Sequence, residues 1–296
     1  MTTIDAPPTL HVRRLSGAIG AELRGIDLKQ PLAEDTVAEI RQALLDHKVI
    51  FFPGQHLTPA EHVAFGAYFG EVTPAHPVIP GIEADSRVFE IDYSESAKLY
   101  AAYGDVARRK RETNGLSWHT DVTFVERPPL GSILNAVVIP EAGGDTAWSN
   151  QAAAFAALSS SLQAYLETLT AVHDGQDQFA ALLEAFGEGV WDDERFTSLA
   201  PVEHPVVRTH PETGEKVLFV NPGFTSHIKE LSGSESDALL AFLYAHSTKP
   251  EFTVRYHWTA GDLGFWDNRV TQHSVVGDFT EHRVIQRITL RGDKPV

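Results

Sequence analysis

The chain has 296 residues, 43% hydrophobic and 22% charged, the proportions of a folded globular protein long enough to enclose a substantial core. Forty acids against 24 lysines and arginines give a net charge of -16, which opposes nucleic acid and anionic lipid as partners. Cysteine is absent, so disulfides, thiol nucleophiles, iron–sulfur clusters and Cys-ligated zinc are excluded, and any metal must be held by histidine and carboxylate. Met1 to Arg14 has no basic start followed by an apolar stretch, and no uncharged run nears the roughly twenty residues of a membrane span, so the chain reads as cytoplasmic.

After a loose Pro7-Pro8 tail, Asp35 to His47 places Val37, Ile40 and Leu44 on one helical stripe and feeds an apolar run, Val49 to Phe52, that reads as a buried strand. Thr58-Pro59-Ala60-Glu61 has capping-box spacing with proline at the first helical position, and Gly70 is placed to stop that helix. Val88 to Tyr93 is strand-like. From Ser94 to Leu116 the pattern dissolves into a polar stretch carrying Arg108-Arg109-Lys110-Arg111, read as a lid loop whose charges are either a solvated face or an attractor for anionic substrate. Trp118 to Phe124 and Ser132 to Ile139 predict strands, Gly143-Gly144-Asp145 a turn, and the alanine-rich Asn150 to Leu169 a helix.

Val206 to Val220 predicts a hairpin around His210-Pro211-Glu212-Thr213-Gly214, and Ser232 to Glu235 repeats the capping-box spacing ahead of a leucine-rich helix. Phe252 to Trp258, Leu263 to Trp266 and Arg283 to Arg291 complete a strand-rich second half. No repeat or linker divides the chain, so residues 1–296 read as one domain. Many short strands without regular strand-helix alternation predict a mainly β jelly-roll sandwich with flanking helices, and neither a phosphate-binding glycine loop nor a Gly-x-Ser-x-Gly elbow is present.

Metal binding by imidazole and carboxylate commonly uses His-x-Asp on a strand, where residues two apart point to one face. With 14 histidines and 40 acids, about two His-x-acid pairs arise by chance, so context must separate the two present. His210-Pro211-Glu212 falls in the hairpin turn and reads as a solvated polar tip. His119-Thr120-Asp121 lies in an apolar frame of Trp118, Val122 and Phe124, where an aspartate is costly to bury unless paired or metal-bound. His273, with Arg283 and Arg287 following it, is the candidate third ligand.

WHTDVTF, GGDTAWSN, HPVVRTHPETG, LFVNPGFT, WDNRVTQH and RITLRGDKP occur in this order, and the chain resembles the taurine dioxygenase family of iron(II)- and 2-oxoglutarate-dependent dioxygenases nearly from end to end. The likeness is weak over Ser94 to Leu116 and Gly175 to Ala200. It implies a double-stranded β-helix of cupin-like form, with His119, Asp121 and His273 as a facial triad for Fe(II), leaving three positions for 2-oxoglutarate and O2. An intact Asp121 implies oxygen transfer rather than halogenation.

The resemblance further implies that Arg283 and Thr146 hold the distal carboxylate of 2-oxoglutarate, and that Arg287, His76, Val122 and Phe224 contact a small anionic organosulfur substrate. Alternation along Arg283 to Arg291 puts Arg283, Ile285, Arg287 and Thr289 on one face, a pattern that by itself points the arginines to solvent. The resemblance turns that face inward. It also implies a homo-oligomer, and hydroxylation beside a sulfonate or sulfate group with release of sulfite or sulfate, an aldehyde, succinate and CO2. Ile79 and Gly175 stand where taurine enzymes carry aromatics, which implies a roomier, less polar pocket for larger alkyl or aryl sulfonates or alkyl sulfates. The same cofactor chemistry on a carboxylate substrate, a zinc hydrolase using the same triad, and a non-enzymatic binding module are the rival readings. Trp266, Asp267 and Asn268 read as scaffold, and His173, His204 and His257 have no assigned role.

Overall fold

A computed structural model describes residues 10–93, 118–176, 179–180 and 199–296. The expected lid loop at 94–116, with its basic run, lies outside them. Strands are numbered in chain order. The larger sheet runs β1 (His11–Arg14), β2 (Ala21–Arg24), β3 (Val49–Phe52), β13 (Leu263–Asp267), β5 (Gly131–Val138), β15 (Val284–Leu290), β4 (Phe89–Asp92). A smaller sheet runs β12 (Thr253–Tyr256), β6 (Thr146–Asn150), β14 (Thr271–Val275).

Both faces of the larger sheet are covered, which is why β3 is apolar at every position. Ile50, Phe52, Ile133, Phe265 and Ile288 pack outward against Ile40, Ala43 and Leu44 of α1 (Glu34–His47) and Val63 and Phe65 of α2 (Pro59–Ala67). Val49, Phe51, Leu134, Trp266 and Ile285 face inward and meet Trp148, Val254 and Tyr256 of the smaller sheet. Phe51 stacks on Tyr256 at 3.8 Å and meets Trp148 edge-on at 5.2 Å, pairs that contribute about 0.5–1.5 kcal/mol each beyond burial. The α2 capping box forms as predicted: Thr58 N–H donates to Glu61 Oε2 at 2.8 Å and Glu61 N–H to Thr58 Oγ1 at 3.3 Å.

A second core lies beside the sandwich. The sheet β11 (Thr225–Ile228), β7 (Thr170–His173), β8 (Val202–Pro205) and the hairpin β9 (Val207–Thr209), β10 (Lys216–Leu218) pack Ala171, Val207, Leu218 and Ile228 against α3 (Gln151–Ala156), α4 (Ser160–Leu166) and α5 (Gly233–Ser247). The alanine-rich segment is thus two helices rather than one. Ser159 restarts the chain as N-cap of α4, its side chain accepting from Leu162 N–H. Among the described residues no helix is long and apolar enough to cross a membrane.

Candidate active site

His119 joins the edge of the smaller sheet through one antiparallel bridge: its N–H donates to His273 O at 2.9 Å, and His273 N–H returns to His119 O at 2.8 Å. The two rings lie 4.2 Å apart. The predicted strand Trp118 to Phe124 does not continue beyond this bridge. Asp121 to Phe124 form a turn in which Val122 has φ 57°, a left-handed conformation that costs a β-branched residue about 1–2 kcal/mol. Asp121 therefore reaches His119 because the chain turns, not because a strand alternates.

Buried polar groups hold that turn. Asp121 N–H donates to Asn268 Oδ1 at 2.8 Å, and Asn268 Nδ2 donates to Asp121 O and Pro129 O at 3.0 and 3.1 Å. Thr120 Oγ1 donates to Thr271 O at 2.8 Å. His173 and Asn221 both meet Thr123 Oγ1, at 2.9 and 3.1 Å. His204 Nε2 reaches the carbonyls of Thr123 and Val125 at 2.9 and 3.1 Å, so burial, which lowers its pKa to about 4, leaves it a neutral donor. His173 and His204 thereby acquire a role: one holds the Thr123 side chain and the other the Thr123 and Val125 carbonyls of the segment that follows the carboxylate.

His119, Asp121 and His273 converge with their candidate ligand atoms all within 4.8 Å of one another. Asp121 Oδ1 is 3.6 Å from His119 Nε2 and 3.9 Å from His273 Nε2. Burial opposes a charge on Asp121, but the adjoining Arg287 guanidinium outweighs it and holds the carboxyl well below its usual range. Burial, with His119 beside it, lowers His273 to about 3, so its imidazole is neutral. Two imidazole nitrogens and one carboxylate oxygen suit a first-row divalent metal with positions left open.

All seven residues of β15 are buried, so the face predicted from alternation alone to meet solvent points into the sandwich, Ile285 packing beside Trp148. Arg283 Nε donates to Gly144 O at 3.0 Å, while its buried Nη2 has no partner among the described residues. Burial lowers this guanidinium to about 10, partly offset by Asp145, and it stays cationic at neutral pH. Gly143 and Gly144 have φ of 78° and 70°, and a Cβ on Gly144 would fall 3.1 Å from Arg283 Cδ, so the Gly-Gly turn is what admits the arginine. Asp145, flanking it, is held by Arg255 and by His257 Nδ1 at 2.8 Å. Thr146 Oγ1 accepts from Trp258 Nε1 at 3.0 Å, which leaves its own proton to donate.

Arg287 Nη1 donates to Asp121 Oδ1 at 2.6 Å, its guanidinium lies 5.2 Å over the Phe89 ring, and its buried Nε has no partner among the described residues. His76 Nδ1 accepts from the Val78 and Ile79 N–H groups at 3.1 and 3.2 Å, which puts its proton on Nε2. Burial, with Arg287 nearby, lowers His76 to about 3. Val122 and Phe224 pack with Val78 and Phe124 in one cluster. Sequence reasoning did not pick out Phe124 and Phe179 as site residues. Phe124 lies 5.0 Å from both Phe179 and Phe224, and Phe179 4.8 Å from His76. A Cβ at Gly175 would fall 2.8 Å from Phe124 Cγ, so the space opened by glycine is filled by Phe124 and the surroundings are aromatic rather than vacant.

His210 is not a solvated tip. It is 2% exposed, and its Nε2 donates to Asp267 Oδ2 at 2.9 Å while Nδ1 accepts from Glu212 and Thr213 N–H. Asp267 also binds Arg269 at 2.6 Å, and Glu212 bridges Arg269 and Arg41, each at 2.8 Å. This network ties the β9–β10 hairpin to the turn that carries Asn268 and leads to His273.

Two facing sheets with a His-Asp-His metal site on the smaller one's edge define a two-histidine, one-carboxylate metalloenzyme built on a double-stranded β-helix. A family model described as "Taurine catabolism dioxygenase TauD, TfdA family" matches residues 11–289, and the chain belongs to this family of 2-oxoglutarate-dependent dioxygenases. An alpha-ketoglutarate-dependent sulfate ester dioxygenase from Pseudomonas putida is 41% identical over 292 residues, covering 97% of this chain and 91% of the relative. An alkylsulfatase from Acinetobacter baylyi is 39% identical over 305 residues, covering 99% and 89%. The crystal structure of a taurine dioxygenase from Burkholderia xenovorans matches with TM-score 0.80 at 41% identity, covering 98% of this chain and 91% of that one.

Proposed function

We propose that the protein hydroxylates the carbon next to the sulfate or sulfonate group of an organosulfur compound with an apolar body, using 2-oxoglutarate and O2. The observation that carries this reading is the pair of buried arginines beside the triad, Arg283 and Arg287, each with a nitrogen that no group among the described residues satisfies. Arg283 has no carboxylate partner among the described residues and Arg287 has only the one bond to Asp121, so each keeps a buried N–H without an acceptor, and two such groups on one inward face call for two anions. Four residues along extended chain separate them by about 13 Å. The relatives named for sulfate esters and alkyl sulfates support assigning the second anion to the substrate.

His119, Asp121 and His273 would hold Fe(II), which with 2-oxoglutarate and O2 supplies an oxidant as the co-substrate is converted to succinate and CO2. Arg283 and the Thr146 hydroxyl orient the distal carboxylate of the co-substrate. Arg287 Nε and His76 Nε2–H fix the sulfate or sulfonate oxygens so that one C–H bond faces the metal, and near-attack placement of this kind is worth orders of magnitude in rate. Phe124, Phe179, Phe224 and Val122 enclose the carbon skeleton and exclude water. The hydroxylated carbon then releases sulfate from an ester, or sulfite from a sulfonate, and becomes an aldehyde.

Arg287→Ala is expected to uncouple the reaction: succinate continues to form while sulfate or sulfite release falls about a hundredfold, measured as the product ratio in one assay. Tightly coupled turnover in that variant would remove Arg287 from the role. Across a panel of alkyl sulfates, aryl and alkyl sulfonates, taurine and aryloxy carboxylates, kcat/KM is expected to be highest for an apolar sulfate or sulfonate, with taurine at least about tenfold lower. Taurine as the best substrate would contradict the assignment, and a carboxylate as the best would move the enzyme to the carboxylate branch.

A further inference from the structure

Ser132 lies on β5 among inward-facing residues, fully buried, and its Oγ donates to Asp121 Oδ2 at 2.7 Å. That oxygen is not the one nearest the imidazoles: Oδ1 stands 3.6 Å from His119 Nε2 and 3.9 Å from His273 Nε2. Asn268 clamps the Asp121 backbone on both its N–H and its carbonyl. With the backbone clamped, the remaining freedom is rotation of the carboxylate, and two short bonds in a buried setting restrain it: the serine hydroxyl on Oδ2, and Arg287 Nη1 on Oδ1 at 2.6 Å, an oxygen that retains lone-pair capacity for a further partner.

We propose that Ser132 is a positioning residue that makes Asp121 a one-oxygen metal ligand. The inference rests on the dioxygenase reading above. Carboxylates bind metals through one oxygen or both, and the choice decides how many positions remain. Two imidazoles and one carboxylate oxygen would leave room on the metal for 2-oxoglutarate and O2, whereas a two-oxygen aspartate would compete with 2-oxoglutarate. The hydroxyl of Ser132 would hold Oδ2 back from the metal, and Oδ1, 3.6 and 3.9 Å from the imidazole nitrogens, would be the oxygen that meets it. No feature of the sequence marks this serine, which sits eleven residues from Asp121 on another strand.

The test is anaerobic titration of purified wild type and Ser132→Ala, first with Fe(II) alone and then with 2-oxoglutarate on the metal-loaded protein, followed by the visible charge-transfer band. Removing the hydroxyl is expected to weaken 2-oxoglutarate binding about tenfold or more and to shift or weaken the band, while metal affinity without 2-oxoglutarate stays within about threefold. If the alanine variant does not fold, Ser132→Cys, which keeps the volume but donates weakly, is read in the same way. An unchanged band and 2-oxoglutarate affinity would overturn the inference. So would equal losses of metal and 2-oxoglutarate affinity, which would make Ser132 a general support of the site. Failure of wild type to give any band would instead overturn the dioxygenase reading, and the inference with it.

Discussion

Replacing Arg283 by methionine is expected to stabilise the metal-free protein while removing its affinity for 2-oxoglutarate. Arg283 is 4% exposed, its one hydrogen bond among the described residues is to the Gly144 carbonyl, and burial lowers its pKa to about 10. Its charge lies 5.6 Å over the Phe279 ring, a contact that offsets only part of the desolvation. An apolar side chain of similar reach relieves the rest, for a gain of about 1–3 kcal/mol in denaturant unfolding. A fork that meets a carboxylate in a buried site is worth about 3–5 kcal/mol when one partner is removed, so 2-oxoglutarate affinity should fall by about two to nearly four orders of magnitude. The opposite signs distinguish a ligand-binding arginine from a structural one. A variant that lost stability and kept its 2-oxoglutarate affinity would show that Arg283 serves the fold.

Asp267→Asn is expected to cost about 3–5 kcal/mol, because it leaves the buried Arg269 without its full counter-charge. Burial opposes ionisation of Asp267, but Arg269 and His210 outweigh it and hold the carboxyl below its usual range. A carboxyl depressed in the folded state stabilises the fold above its unfolded pKa and loses that contribution as pH falls. The gap between wild type and Asp267→Asn should therefore be full at neutral pH and narrow below about pH 4, as followed by urea unfolding across pH. Because the same turn carries Asn268, Fe(II) affinity should fall as well. Equal stability of the two proteins at pH 7 would show that the network contributes nothing net.

The two capping boxes and the all-apolar β3 were legible because each is a local statement: a side chain and the backbone three residues on, or a run with no polar face. The metal ligands were legible because an aspartate in an apolar frame demands a partner. Local pattern failed where a partner came from far along the chain. His210 looked like a turn tip because Asp267, 57 residues away, does not show in the hairpin sequence. The turn at Asp121 looked like a strand because its apolar neighbours, Val122 and Phe124, face the aromatic cluster rather than alternate across a sheet. Ser132, His173 and His204 act through hydrogen bonds to the ligand segment, and their residue types alone carry no mark of it. The inward direction of Arg287 needed the knowledge that β15 is covered on both faces, a property of the sandwich and not of the strand.

The central claim is that the triad and Arg283 together form one seat for iron and 2-oxoglutarate, with an anion site for the substrate beside it. Anaerobic addition of Fe(II) and then 2-oxoglutarate to the metal-free protein tests it most directly. The account predicts a visible charge-transfer band that a sulfate ester or sulfonate with an apolar body perturbs at lower concentration than taurine or a carboxylate does. Folded protein that binds iron but develops no band with 2-oxoglutarate would contradict it.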